Sequence, residues 1–161
     1  MEALVHQPTF QDIRTEREFG DFELEFSWKI AAGGNGGVKY LITKFDAWMP
    51  KGVTAGRGHE RARGCEYQLT DDALSEETKR DATRGTGSLY SKIAPEGAPL
   101  RAAGEWNESR IVVRRPSIEH WLNGKKVVAT RLEGELPARS AIALQNHHAG
   151  CWFRGIRVRE I

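Results

Sequence analysis

The chain has 161 residues, enough to bury a core within one domain, and its 24 Lys+Arg nearly balance 22 Asp+Glu for a formal net charge of +2. Positive charge is scattered apart from a short Arg-rich stretch between Arg57 and Arg63, which excludes the basic, aromatic-interleaved stripe of a nucleic-acid surface. No apolar run approaches the ~18 residues of a membrane helix, and no basic head followed by an apolar segment marks a signal peptide in this chain.

Period-two alternation dominates the elements. In "FELEFSWKI", Phe22, Leu24, Phe26, Trp28 and Ile30 share one face, and Glu23, Glu25, Ser27 and Lys29 the other. That is a half-buried antiparallel strand, with Trp28 in the core. "AAGGNGG" (31–37) must turn, because Gly and Asn supply positive φ cheaply, and "VKYLIT" (38–43) reads as the returning strand. "KFDAWMPKGVTAGRGHERARG" (44–64) reads as a long polar connection. "GCEYQLTDD" (64–72) follows as a strand that points Cys65, Tyr67 and Leu69 one way and Glu66, Gln68 and Thr70 the other. A carboxylate beside an amide on the polar face suits either a solvated surface or a site for a polyol.

Farther on, "DDALSEETKRDATRG" includes a helical turn with Ser75 as N-cap, and "TGSLYSKIAP" (86–95) reads as another strand. "SRIVVRR", "SIEHWL", "KKVVAT", "SAIALQ" and "CWFRGIRVREI" are short strands separated by turn signals. Asn123-Gly124 fits a type I′ hairpin turn. In the last strand Phe153 and the pair Ile156 and Val158 have opposite parity, so a bulge is expected at Gly155. At least eight strands with few helices make an all-β sandwich or jelly roll over residues 1–161 as one domain. Cys65 and Cys151 form either one disulfide or two buried thiols; the spacing does not decide, and the burial habit of free cysteine favours thiols.

"FGDFELEFSWKIAAGGNGGVKY", "GCEYQLTDD", "TGSLYSKIAP", "GEWNESRIVVRRPSIEHWLNGKKV" and "IALQNHHAGCWFRGIRVREI" occur in an order that resembles the 3-keto-disaccharide hydrolase domain family, over nearly the whole chain. The resemblance implies a concanavalin A-like jelly-roll sandwich of two antiparallel sheets. It also implies cleavage of glycosides whose glucose ring is already oxidised at carbon 3. The chain departs from the family's pattern at Gly36 (usually Ser), at Asn146 (usually Asp, so a carboxylate is lost) and at Gly155 (usually Asn). An N-terminal segment like "LFDGKSLDGW" is not found, so the start is read as truncated or different. Relatives are often exported, which points to a periplasmic or extracellular setting.

A 3-keto group acidifies the hydrogen on carbon 2, so loss of the carbon-1 substituent proceeds by β-elimination and water can add back. The chemistry needs a base near carbon 2, a donor or cation near the ketone oxygen, and an acid for the leaving group. With the resemblance, Glu66 is the candidate base, His147 a proton-transfer group and Lys39 the cation for the ketone oxygen. Gln68, Gln145, Arg154, Trp48 and Tyr90 are candidate sugar contacts, with Arg154 able alternatively to hold Glu66 in place. Trp106 and Trp121 read as packing residues. Asp71 and Asp72 could join a divalent-metal site, but capping of the following turn is the competing reading, since no calcium-loop spacing is present. No nicotinamide fingerprint occurs, as Gly33 to Gly37 lies between strands; a separate sugar 3-oxidoreductase must supply the keto substrate. The alternatives are a non-catalytic, lectin-like carbohydrate-binding module, a purely structural domain, and an ordinary glucan hydrolase, for which the usual acid pair on one strand is lacking.

Overall fold

In the computed structural model, residues 3–4, 12–48, 59–147 and 150–161 are described. The strands are β1 (Ala3–Leu4), β2 (Ile13–Arg14), β3 (Phe22–Ile30), β4 (Asn35–Trp48), β5 (His59–Thr70), β6 (Asn107–Arg114), β7 (Ser117–Leu122), β8 (Lys125–Arg131), β9 (Ala143–Asn146) and β10 (Cys151–Glu160). A short helix, α1 (Glu76–Arg80), and a 3-10 turn (Ala82–Arg84) lie between β5 and β6. The strands form a six-stranded sheet, β1-β10-β3-β6-β7-β8, and a four-stranded sheet, β2-β9-β4-β5. Neighbours are antiparallel throughout.

Alternation explains how the two sheets close on each other. Phe22, Leu24, Phe26 and Trp28 of β3 meet Tyr40 of β4 and Tyr67 and Leu69 of β5, and all are buried. Several polar groups inside this core pair with one another. Trp28 Nε1 donates to Ser109 Oγ at 2.8 Å, and the Tyr67 hydroxyl lies 2.9 Å from the same oxygen. His120 is fully buried, which pushes its pKa down to about 4, so the ring is neutral. Its Nδ1–H then donates to Gly87 O at 2.9 Å, while Nε2 accepts from the Tyr40 hydroxyl at 2.7 Å.

Local expectations are met at several places. Ser75 caps α1, accepting from the Thr78 N–H at 3.1 Å. Asn123 and Gly124 have φ of 45° and 83°, as a type I′ turn requires. The register of β10 on β3 shifts between Arg154 and Arg157, with Gly155 at φ 61°, and this bulge returns Val158 to the core. Both cysteines are free and buried.

The fold departs from the sequence expectations in two segments. Residues 44–48 and 59–63 are not part of a loose connection: they extend β4 and β5 and pair with each other from Lys44↔Arg63 to Trp48↔His59. The register shifts between Tyr40 and Lys44, with Leu41 at φ 49°. Gly64 faces this bulge, and a Cβ there would meet the carbonyl oxygens of Tyr40 and Leu41. With few apolar residues in alternation, the paired arm gives no strand signal by periodicity. The second correction is 86–95, which is a series of turns rather than a strand. Gly87 (φ 84°) and Ser91 (φ 61°) interrupt the extended backbone, leaving only single bridges from Leu89 to Tyr67 and Ile93.

Candidate functional site

The outer face of the four-stranded sheet is built by register. Lys39 of β4 lies opposite Glu66 of β5, while Gly37 has Gln68 on one side and Gln145 of β9 on the other. The turns after α1 then dock along β5: the Tyr90 N–H donates to Glu66 O at 3.0 Å and the Gly87 N–H to Gln68 O at 2.9 Å. That docking places the Tyr90 ring beside Glu66. A cavity of about 300 Å³ results, lined by Lys39, Glu66, Gln68, Tyr90, Gln145 and His147. Thus six of the eight residues expected as catalytic groups or sugar contacts share one cavity. Asn35, Arg61, Arg63 and Glu77 complete the part of the wall that carries charge or hydrogen-bonding groups.

Gly37 is the centre of this floor. A Cβ at that position would overlap Glu66 Oε1, so the missing side chain is what lets the carboxyl lie across β4. Gln145, with its amide nitrogen turned to Glu66, donates to Oε1 at 3.1 Å and accepts from Arg61 Nη2 at 3.2 Å. Gln68 Nε2 donates to Asn35 Oδ1 at 3.1 Å. Desolvation pushes the Glu66 carboxyl up to about 7, against the lowering effect of Lys39 and with a smaller raising effect from Asp12. Glu66 therefore exchanges protons near neutrality, as a general base requires.

Lys39 is held by a partner that the sequence did not reveal. Its Nζ lies 3.0 Å from Asp12 Oδ2, and the two side chains are only 5% and 3% exposed. The same Asp12 oxygen accepts from the Ala62 N–H at 3.4 Å. Tyr90 receives a hydrogen bond from Arg84 Nη1 at 2.9 Å, so its own proton is available to donate elsewhere. Burial raises the Tyr90 phenol, keeping it protonated.

The remaining candidates fall elsewhere. Arg154 neither holds Glu66 nor joins this cavity: it lies on the outer face of the six-stranded sheet, its guanidinium 3.9 Å over the Trp106 ring and its backbone opposite Ser27. Trp48 ends β4, but its side chain lies outside what the structure describes. Asp71 Oδ2 accepts from the Gly33 N–H at 2.9 Å and Asp72 Oδ1 from the Thr86 N–H at 2.9 Å, so both carboxylates tie loops. Among the described residues no three His, Cys, Asp or Glu side chains cluster as a metal would need. Trp121 is stacked under Arg110 at 4.2 Å and donates to Glu119 at 2.9 Å, the packing role expected of it. Sequence reasoning misses Asp12, in a stretch without a motif, and Arg61, in a stretch that reads as connection; Asn35 reads from sequence only as a turn residue.

A family model described as "3-keto-alpha-glucoside-1,2-lyase-like domain" matches residues 2–159. A 3-keto-disaccharide hydrolase from Bacteroides thetaiotaomicron is 26% identical, over 93% of this chain and 62% of the relative, so the chain spans less than two thirds of that protein. A Parabacteroides distasonis protein provisionally named a glycosyl hydrolase superposes with a TM-score of 0.74 at 26% identity, covering 94% of this chain and 83% of the other. A Bacillus subtilis protein of unknown function with a galectin-like fold gives a TM-score of 0.61 at 13% identity, over 91% and 76% of the two chains. That last likeness concerns fold alone, and it agrees with a galectin- or concanavalin A-like sandwich.

Proposed function

This chain belongs to the 3-keto-alpha-glucoside-1,2-lyase-like domain family, and on that premise we propose that it cleaves 3-keto-glycosides in the cavity over the four-stranded sheet. The observation that carries the reading is Glu66: a carboxyl facing the cavity opposite Lys39, tuned by burial to about 7. The ionised Glu66 takes the proton from carbon 2, and the bonding pair delocalises onto the ketone oxygen as an enolate. Lys39 and the Tyr90 hydroxyl supply the positive charge and the donor that this oxygen needs. Collapse of the enolate forms the carbon-1 to carbon-2 double bond and expels the carbon-1 oxygen, protonated by His147. Water added at carbon 1, with a proton returned to carbon 2, completes net hydrolysis. Gln68, Gln145 and Asn35 offer amide donors and acceptors to the sugar hydroxyls. The flanking carboxylate pair of ordinary glycoside hydrolysis is not required.

The test is turnover of 3-keto-glucosides carrying a chromogenic leaving group, beside unoxidised glucosides. Cleavage of the keto substrates alone, strongly reduced by Glu66→Gln, is the expected result. Saturable sugar binding with no turnover would replace the enzyme reading with a carbohydrate-binding module.

A further inference from the structure

The buried Lys39–Asp12 ion pair at the cavity wall has no evident stabilising purpose. Removing an ammonium and a carboxylate from water is costly, and their attraction at best offsets that cost. The pair nevertheless sits at the junction of three strands. Asp12 immediately precedes β2, which is pinned to β9 by Ile13↔Leu144, the neighbour of Gln145. Asp12 also accepts from the Ala62 N–H of β5, while Lys39 comes from β4 between them. We infer that Asp12 is a positioning residue for the site: it fixes the Lys39 ammonium against the sheet and offsets its charge where Glu66 faces the cavity.

The charge argument follows from what surrounds Glu66. Lys39 faces it from β4, Arg61 and Arg63 from β5, and Glu77 from α1. Tyr90 faces it from the docked turns, and His147 from the end of β9. Beneath them Asp12 opposes Lys39: desolvation raises the Glu66 carboxyl most, the ammonium lowers it, and the Asp12 carboxylate raises it again. An uncompensated Lys39 would draw the Glu66 midpoint downward, making it a weaker base. It would also leave the ammonium free to bond Glu66 directly instead of a substrate oxygen. Asp12 thus keeps the base basic and the cation in place without touching substrate.

The inference rests on the reading of Glu66 as base, so its test reads titration as well as turnover. Carboxyl carbon NMR with glutamate labelling follows Glu66 directly, its resonance assigned by its absence in Glu66→Gln. Asp12→Asn is expected to lower the Glu66 midpoint by about one pH unit. The acid limb of kcat/KM moves with it. Lys39→Met raises the midpoint, and the double variant Asp12→Asn/Lys39→Met returns it toward the parental value. Asp12→Glu retains the parental profile. Melting curves establish that each variant is folded; should Asp12→Asn alone fail to fold, Lys39→Met and the double variant decide. An unchanged midpoint in Asp12→Asn, or midpoints that coincide in Lys39→Met and the double variant, overturns the inference. Shifted midpoints with no turnover in any form, the parent included, leave Asp12's placement standing and remove the enzymatic reading instead.

Discussion

The two outer faces of the sandwich alternate alike in sequence and differ in what surrounds them. On the six-stranded sheet the polar side chains form cross-strand ion pairs that range from well exposed to largely covered. Arg157 reaches Glu25 at 3.1 Å, with the two side chains 78% and 48% exposed. Arg110 reaches Glu23 at 3.0 Å and packs 4.2 Å over the Trp121 ring. On the four-stranded sheet the docked turns, α1 and the β4–β5 arm wall off the face, so Lys39, Glu66 and Gln68 lie in a shared concavity. A charged group in water is screened and satisfied wherever it points, whereas a group in the cavity has its proton affinity set by its neighbours. Alternation selects the polar face of a strand; only the segments that pack over it decide whether that face becomes a site.

The sharpest way to break this contrast is to neutralise one carboxylate on each face. Glu66→Gln should lower kcat/KM for a 3-keto-glucoside by about 10³-fold, within the range of a lost general base. Glu25→Gln, on the other face, should leave it within about twofold, since an exposed ion pair contributes little. Equal losses in the two variants would show that the cavity has no special standing. A smaller but still large effect is expected at Gly37, where any side chain displaces Glu66. Gly37→Ala should cost about 10²-fold in kcat with the fold retained, the loss expected of a reacting group moved by an ångström.

These two positions also show how far the sequence could be read. Glu66 and Gln68 were assigned to one face by strand parity, Lys39 by the same logic, and Tyr90, Gln145 and His147 with the help of the family likeness. All six reach the cavity. Gly37 entered only as part of a turn, because its role depends on a side chain two strand positions away in register, which no local pattern encodes. Asp12 was invisible for a related reason: a two-residue strand has no periodicity, and its pairing with β9 is a tertiary outcome. Arg154 was misplaced because family likeness aligned it with the site, whereas the strand order carries β10 into the opposite sheet. The bulge at Gly155 and the Asn123-Gly124 turn, by contrast, were legible because their backbone demands are local.

The contrast also extends to pH, through two groups that desolvation shifts in opposite directions. His120, lowered to about 4 in the core, contributes stability that is complete above its ordinary pKa near 6.5 and is lost as pH falls toward 4. Glu66, raised to about 7, does the reverse: its protonated form is favoured in the folded chain, and that stability is lost as pH rises from about 4.5 through 7. Glu66→Gln should therefore be more stable than the parent at pH 8, on the order of 2 kcal/mol after allowing for the partial opening of the cavity to solvent, and the difference should vanish near pH 4. Thermal melts at the two pH values check this; a constant difference would mean that Glu66 titrates normally.

The smallest effect belongs to the solvated face and is the control that gives the others meaning. Arg157→Ala breaks its pair with Glu25 and should change stability by less than about 0.5 kcal/mol, decreasing further at high salt as screening removes what remains. The Asp12 pair should resist the same salt, because its two side chains are shut away from the ions that screen. A titration midpoint of Glu66 that stays fixed from low to high salt, while Arg157→Ala becomes indistinguishable from the parent, would separate the two faces by the property that distinguishes them: whether solvent or the protein sets the local field.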